Sequence, residues 1–315
     1  MVTSRQALAT LLCLASLLWP LGVRAEPPAS VQASSGLKVN ILLLGLDADS
    51  GALAPSRTDT IILASVDLGA RRMAMVSIPR DLWVDIPGYS QNRINTAYFT
   101  GEYNRLPGGG PALAMQTVAA ALGVPVDHYI TIDFDGFVGA VDAIGGLDID
   151  VPYDILRYEY IDGKDSSVLD IPAGLQHMDG AATLTYVRSR YNSNDYERMR
   201  RQQQVLLTAR DKALSLQIPV SRYPELLVSL GSAVHTDIPF VKLVALGSLA
   251  MRMDSSDITH VVIDESIAST VIRPSGAMVE VPDWDKLHAL VNEALYPKAE
   301  EPTEPDLLTR FVWGR

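Results

Sequence analysis

The sequence predicts an α/β fold, an α/β/α sandwich with a central mixed sheet, and three observations carry that prediction. Short apolar runs rich in Ile, Leu and Val recur near the start of the chain; stretches of helical length with proline or acidic starts are mixed with them; no internal repeat is present. With 315 residues, 48% of them hydrophobic, the chain can bury a substantial core as one large domain or two small ones.

Taken in order, residues 1–25 carry one early positive charge at Arg5, an apolar run over residues 7–23, and Val23-Arg24-Ala25 before Glu26. That order fits either a secretory signal or a short membrane anchor. With either one Arg5 stays on the cytoplasmic side, so the expected location of the body is extracytoplasmic, membrane-anchored or secreted, near a membrane surface. The sole cysteine, Cys13, lies in this segment, so the exported part has neither thiol chemistry nor a disulfide. Residues 26–36 begin EPPASVQASS, a linker composition.

Residues 37–46 (LKVNILLLGL), 60–66 (TIILASV) and 73–78 (MAMVSI) are largely apolar runs that suit strands covered on both faces. Residues 111–122 (PALAMQTVAAAL) have the length and alanine content of a helix, with proline in the first turn. Residues 133–144 (DFDGFVGAVDAI) open on an acidic cap and stop at Gly145-Gly146, a second helix. Helices are also expected over residues 196–216, 241–251 and 283–295. The folded domain thus covers residues 37–296, and residues 297–315, with the run KAEEPTEPD, read as a mobile tail.

Charge narrows the function classes. A net charge of -11 and a pI near 4.9 argue against general nucleic-acid binding, since such a surface repels polyanions. Yet YVRSRYNSNDYERMRRQQQ, starting at Tyr186, concentrates arginine. If residues 186–190 are extended, Arg188 and Arg190 share a face with Tyr186. On the helix that follows, Arg198, Arg201 and Gln202 share a face at i, i+3 and i+4, while Arg200 points elsewhere. Arginine forks donate paired hydrogen bonds to phosphate or carboxylate and keep their charge. A solvated face paired with Asp195 and Glu197 is the structural alternative.

Carboxylates stand where the strands end. Asp47 and Asp49 follow the first apolar run, Asp59 opens the second, and Arg80 follows the third. In open α/β sheets ligands bind at such ends, and carboxylates there suit a hard cation such as Mg²⁺. Arginine forks beside them describe a pocket for a diphosphate. His128, His177, His235, His260 and His288 show no zinc spacing. Asp47-Ala48-Asp49 resembles the start of a calcium loop, but Thr58 stands where the closing glutamate belongs.

The motifs GLD at Gly45, RTDT at Arg57, SIPRD at Ser77, RINTAY at Arg93, VDAIGGLDIDVP at Val141 and YVRSR with DYERMRRQQ occur in this order. In them the chain resembles the LytR-CpsA-Psr family, exported or membrane-anchored enzymes that move glycopolymers from a polyprenyl-diphosphate carrier onto peptidoglycan with Mg²⁺. The resemblance implies that Asp47 and Asp59 are metal-associated carboxylates and that Arg80, Arg188, Arg190 and Arg198 grip the diphosphate. Asp195 and Gln202 match supporting positions, and Arg201 joins the diphosphate set. Two departures stand out: arginine replaces the usual lysine at Arg93, and Thr100-Gly101-Glu102 replaces the usual glycine pair.

The implied reaction is attack by a sugar hydroxyl on the phosphorus nearer the glycan, without ATP, with Arg80, Arg188, Arg190 and Asp59 at the reacting centre and Asp59 or Asp49 as base. The isoprenoid tail needs an apolar groove, for which the helices at 111–122 and 133–144 are candidate walls, although core packing explains both. Two other readings compete. One is a haloacid-dehalogenase-like phosphatase, prompted by Asp47-Ala48-Asp49 after a strand but lacking a later Gly-Asp acid motif. The other is a non-catalytic protein that holds a polyprenyl diphosphate or an envelope polymer.

Overall fold

A computed structural model describes residues 38–47, 56–161, 164–190, 194–216, 233–250 and 252–297, with side chains omitted for 158–167. The expected signal or anchor, the linker and the tail beyond Pro297 lie outside the described residues, as do Cys13 and Asp49.

In chain order the elements are β1 (Lys38–Leu46), β2 (Thr58–Asp67), β3 (Arg72–Ser77), β4 (Trp83–Val84), β5 (Asn92–Arg93), α1 (Thr96–Tyr103), α2 (Gly109–Leu122), β6 (His128–Ile132) and α3 (Phe134–Ala143). They continue as β7 (Leu147–Val151), β8 (Ile155–Ile161), β9 (Lys164–Ile171), β10 (Gly174–Met178), α4 (Gly180–Arg188) and α5 (Asp195–Ser215). The last are β11 (Val234–Thr236), α6 (Phe240–Ala250), β12 (Ile258–Val262), β13 (Ala268–Ile272), β14 (Met278–Pro282) and α7 (Trp284–Leu295).

The central sheet has the order β11-β6-β1-β2-β3-β12. It is mixed: β1 runs antiparallel to β2 and parallel to β6, and β3 runs antiparallel to β2 and parallel to β12. Both faces are covered, as the apolar runs require. Leu42, Leu44, Ile61, Leu63, Val76 and Ile78 point to one side, into a core shared with Val118 and Leu122 of α2 and Leu287 and Val291 of α7. Their neighbours Ile41, Ile62 and Met75 point to the other side, toward α6 and α5. This period-two split is what continuous apolar strands produce between two helical layers.

A second core lies under α4 and α5, where Leu147, Ile149, Val151, Tyr186, Val187 and Val205 pack together. The helices that matter for function begin on side-chain caps: Asp133 accepts from Gly136 N, Asp179 from Ala182 N and Asn194 from Glu197 N, each at 2.8 Å. Each cap satisfies one of the orphan N–H groups of a first turn.

The segment Thr100-Gly101-Glu102 finds its explanation here. It continues α1, and Glu102 Oε1 accepts from Gly110 N at 2.6 Å, tying α1 to the start of α2. A Cβ on Gly101 would stand 2.5 Å from Gly109 O. Gly101→Ala must therefore push the two helices apart, and a loss on the order of 2 kcal/mol is expected, seen as a melting temperature lower by several degrees.

Candidate functional site

Antiparallel pairing brings the end of β1, the start of β2 and the end of β3 to one edge of the sheet. Gly45 faces Thr60, a register shift follows between Gly45 and Leu46, and Asp47 N donates to Arg57 O at 2.9 Å. The shift leaves Asp59 as the extra, unpaired residue of β2, a bulge at the end of the β1–β2 ladder. Arg80 sits past β3, where Leu82 N donates to Pro79 O and Asn95 N to Arg80 O, so its backbone is held in a tight turn.

Asp59 is the hub. Its Oδ1 accepts from Arg80 Nη1 at 2.7 Å, its Oδ2 from Arg190 Nη2 at 3.3 Å, and Arg198 Nη1 lies 3.6 Å from Oδ2. Arg198 Nη2 also donates to the Asp59 carbonyl at 3.2 Å and lies 2.8 Å from Asp195 Oδ1. Asp195 approaches Arg80 Nε at 3.9 Å, and Asp81 bridges Arg80 and Arg93 at 3.4 and 3.1 Å. Arg188 Nη2 is 3.6 Å from Asp47 Oδ1, and its guanidinium lies over the Phe134 ring at 4.1 Å.

The electrostatics differ between the two innermost arginines. Burial pulls both downward. At Arg80 the Asp59 hydrogen bond and the charges of Asp59, Asp81 and Asp195 outweigh burial, and the net shift is upward. Arg198, only 2% exposed, stays shifted downward: Arg190 and Arg80 repel it and add to burial, and Asp195 and Asp59 offset this in part. The Nε atoms of both residues are buried without a hydrogen-bond partner, although Arg80 Nε is in ion-pair range of Asp81.

Behind the arginines a cavity of about 590 Å³ opens along the sheet face away from α2. Its mouth carries Asp47, Asp59, Arg80, Arg188, Arg190, Arg198 and Gln202; its walls are Leu43, Ile62, Ile130, Ile132, Phe134, Phe137, Leu184, Val187, Val205 and Leu206. One end is cationic and the rest is oily. An occupant that matches it is an amphiphile with an anionic head.

Three expectations need correction. Residues 186–188 are not extended: α4 runs through Arg188, with Ser189 N still bonded to Thr185 O, and only from Ser189 is the backbone extended. Tyr186 therefore turns into the core, fully buried, its hydroxyl donating to Gln204 at 2.7 Å and pushed up to about 12 chiefly by burial. Arg201 does not reach the cavity mouth; it donates to Ser189 O and to Tyr153 Oη and lies over the Tyr186 ring, so it braces the turn that aims Arg190. Of the two proposed groove walls only the helix at 133–144 takes part, because α2 packs on the opposite face of the sheet. The sequence reading missed Leu184, Val187 and Leu206; an apolar helix residue shows that it is covered, and nothing in local sequence says by what. Arg200 points away as expected, to Glu197 and Asp264.

Comparison with known proteins agrees with the motifs. The family model described as the LytR_cpsA_psr family matches residues 23–293. The chain belongs to the LytR-CpsA-Psr family. Among curated relatives it is 35% identical over 232 residues to the polyisoprenyl-teichoic acid–peptidoglycan teichoic acid transferase TagU of Enterococcus faecalis, spanning 71% of this chain and 70% of that one. It is also 35% identical over 210 residues to TagU of Oceanobacillus iheyensis, spanning 66% of this chain and 61% of that relative's length. The crystal structure of B. subtilis TagV superimposes with a TM-score of 0.65 at 28% identity, covering 83% of this chain and 98% of that chain. Membership in the LytR-CpsA-Psr family removes the haloacid-dehalogenase-like reading, which in any case left Arg188 and Arg190 without a role.

The Phe134 contact has a measurable consequence. With Arg188 about half exposed, loss of the ring face is worth on the order of 0.5–1 kcal/mol. Phe134→Leu should weaken binding of an anionic-headed amphiphile to the cavity by about threefold, and Phe134→Tyr should restore it, as read by titration calorimetry.

Proposed function

We propose that this protein transfers a glycopolymer from a polyprenyl-diphosphate carrier to a peptidoglycan hydroxyl, with Mg²⁺, outside the cytoplasm at the membrane surface. The observation that carries the reading is a single cavity with an apolar interior and a mouth of arginines around Asp59. The names of the TagU relatives, teichoic acid transferases, support it.

In this reading the isoprenoid lies against Phe134, Phe137 and Val205, and the two phosphates lie among Arg80, Arg188, Arg190 and Arg198. The acceptor oxygen forms a bond to the phosphorus nearer the glycan. The bond from that phosphorus to the bridging oxygen breaks, releasing polyprenyl phosphate and leaving a phosphodiester between glycan and acceptor. The hydroxyl proton leaves toward the carboxylates at the mouth. Arginines fixed before the substrate arrives lower the barrier because charge shifts onto the leaving phosphate while their positions need no reorganisation. Gln202, buried beside Arg198, adds an amide donor to the same wall.

The donor set suits Mg²⁺ on two counts. Mg²⁺ takes one or two carboxylates and completes its shell with water and substrate phosphate. Asp47 and Asp59, lining one mouth, offer that pair. Charge is the second count: Asp47 and Asp59 share the mouth with any bound diphosphate, and a dication between these like charges relieves their repulsion. Bound Mg²⁺ would act as a Lewis acid on the phosphate oxygens.

The test is a transfer assay with purified full-length protein, a short-chain polyprenyl-diphosphate glycan, peptidoglycan and Mg²⁺, with chelator as control. Phosphodiester-linked product that disappears with chelator is expected. Lipid binding without turnover under every condition would return the non-catalytic reading.

A further inference from the structure

The central sheet has an open side. β12 is its last strand, and among the described residues nothing pairs with the outer edge of that strand. Ile263 N donates to Ser77 O at 3.0 Å, a register that turns the N–H and C=O groups of Val261 and Ile263 toward β3 and those of His260 and Val262 outward. A row of bare backbone donors and acceptors is a template for one more strand. We propose that the end of this same chain supplies it: residues 307–313, LLTRFVW, which lie outside the described residues, add to β12 as a further strand of the sheet.

The edge is set in a slot of about 550 Å³ between two helical layers. Leu207 of α5 stands on one side and Leu290 of α7 on the other, and Val261 and Ile267 also line it. All four are half-buried, so the cores behind them leave part of each uncovered. Arg200 and Asp264, the charged pair in the slot, satisfy each other at 3.2 Å. A newcomer therefore meets backbone groups and apolar surface. The run at 307–313 matches in composition, pattern and reach. It holds neither proline nor glycine, carries one charge, at Arg310, and is rich in Thr, Phe, Val and Trp, which favour strands. A strand between α5 and α7 is covered on both faces, and both faces of the run are largely apolar: Leu308 and Val312 flank Arg310 on one, and Leu307, Phe311 and Trp313 share the other with Thr309. Before it stands KAEEPTEPD, residues 298–306, whose prolines and acids suit a linker. That linker spans about 30 Å when extended. It starts at Pro297, about 10 Å along the axis of α7 from Leu290 in the slot wall. A tethered strand also outcompetes a second copy, because a short tether gives a roughly millimolar effective concentration. Docked there, it lies along α5, whose Gln203 Nε2 holds Ser77 Oγ and Val261 O at 2.8 Å each and whose Arg198 lines the cavity mouth.

Residue-resolved hydrogen exchange on full-length protein without added lipid tests the docking. The His260 and Val262 amides should exchange at least about 100-fold more slowly than open-chain amides. Phe311→Asp combined with Trp313→Asp should remove that protection, while the Val261 and Ile263 amides, bonded to β3, keep theirs. Conversely, Val262→Pro deletes only an outward N–H of an edge strand and should free the amides of residues 308–312. Open-chain exchange at His260 and Val262 in wild type would overturn the proposal. So would protection that the tail substitutions leave unchanged, since another segment then covers the edge. Protection that grows with protein concentration would assign the slot to a second copy, and protection that appears only with anionic vesicles would assign it to the membrane; either overturns docking of the chain's own end.

Discussion

Asp59→Ala is expected to reduce transfer at least about 100-fold and to lower stability by about 2 kcal/mol, because one carboxylate organises three guanidiniums. Arg80, Arg190 and Arg198 all contact it. Without it the like charges of Arg80, Arg190 and Arg198 face one another, and Arg198 has no access to water that could screen it. Removing one member of a buried ionic cluster leaves uncompensated charge, usually a cost of about 3–5 kcal/mol, and the partial exposure of Asp59 reduces that figure. Rate suffers separately: guanidiniums that must reorganise when substrate arrives lose the advantage of being fixed beforehand. Initial transfer rates and calorimetric unfolding check the two halves. A rate within threefold of wild type would remove Asp59 from the reaction.

The second large effect separates activity from stability. Arg198→Met should reduce transfer by about 100-fold while costing less stability than Arg80→Met does. Burial pulls Arg198 downward, Arg190 and Arg80 push it further, and Asp195 and Asp59 do not make up the difference, so folding disfavours its charge. An apolar side chain of similar length relieves that cost, and Asp195, part-exposed, returns to water. Arg80→Met should cost more stability, since interactions with Asp59, Asp81 and Asp195 outweigh burial there and favour the charged form. Both variants lose an arginine from the cavity mouth. Equal melting temperatures for the two would show that the arginines are energetically alike, contrary to this account.

Much of the fold could be read before any coordinates, for a local reason. Residues 37–46, 60–66 and 73–78 are largely apolar and rich in Ile, Leu and Val, which suits a strand covered on both faces; β1, β2 and β3 match them within about two residues. Asp133 and Asp283 cap the helices that were expected to start with them. Residues 186–190 were misread because YVRSR alternates like a strand, whereas the helix begun at Asp179 had not yet ended. Local pattern could not weigh a cap seven residues upstream against alternation over five.

Residue types and periodicity, then, determined that this chain has doubly covered strands, arginine forks set close together, and carboxylates just past strand ends, because each of these depends on a side chain's own chemistry and a few neighbours. Which forks meet which carboxylates was decided only by tertiary structure. The bulge at Asp59 and the antiparallel register of β1, β2 and β3 carry Asp47, Asp59 and Arg80 to one end of the strands, and the packing of α4 on α5 brings Arg188, Arg190 and Arg198 to the same place. The same packing turns Arg201 inward to brace them. Contacts across more than a hundred positions of chain arise from strand register and helix docking, and those are settled by the whole core at once.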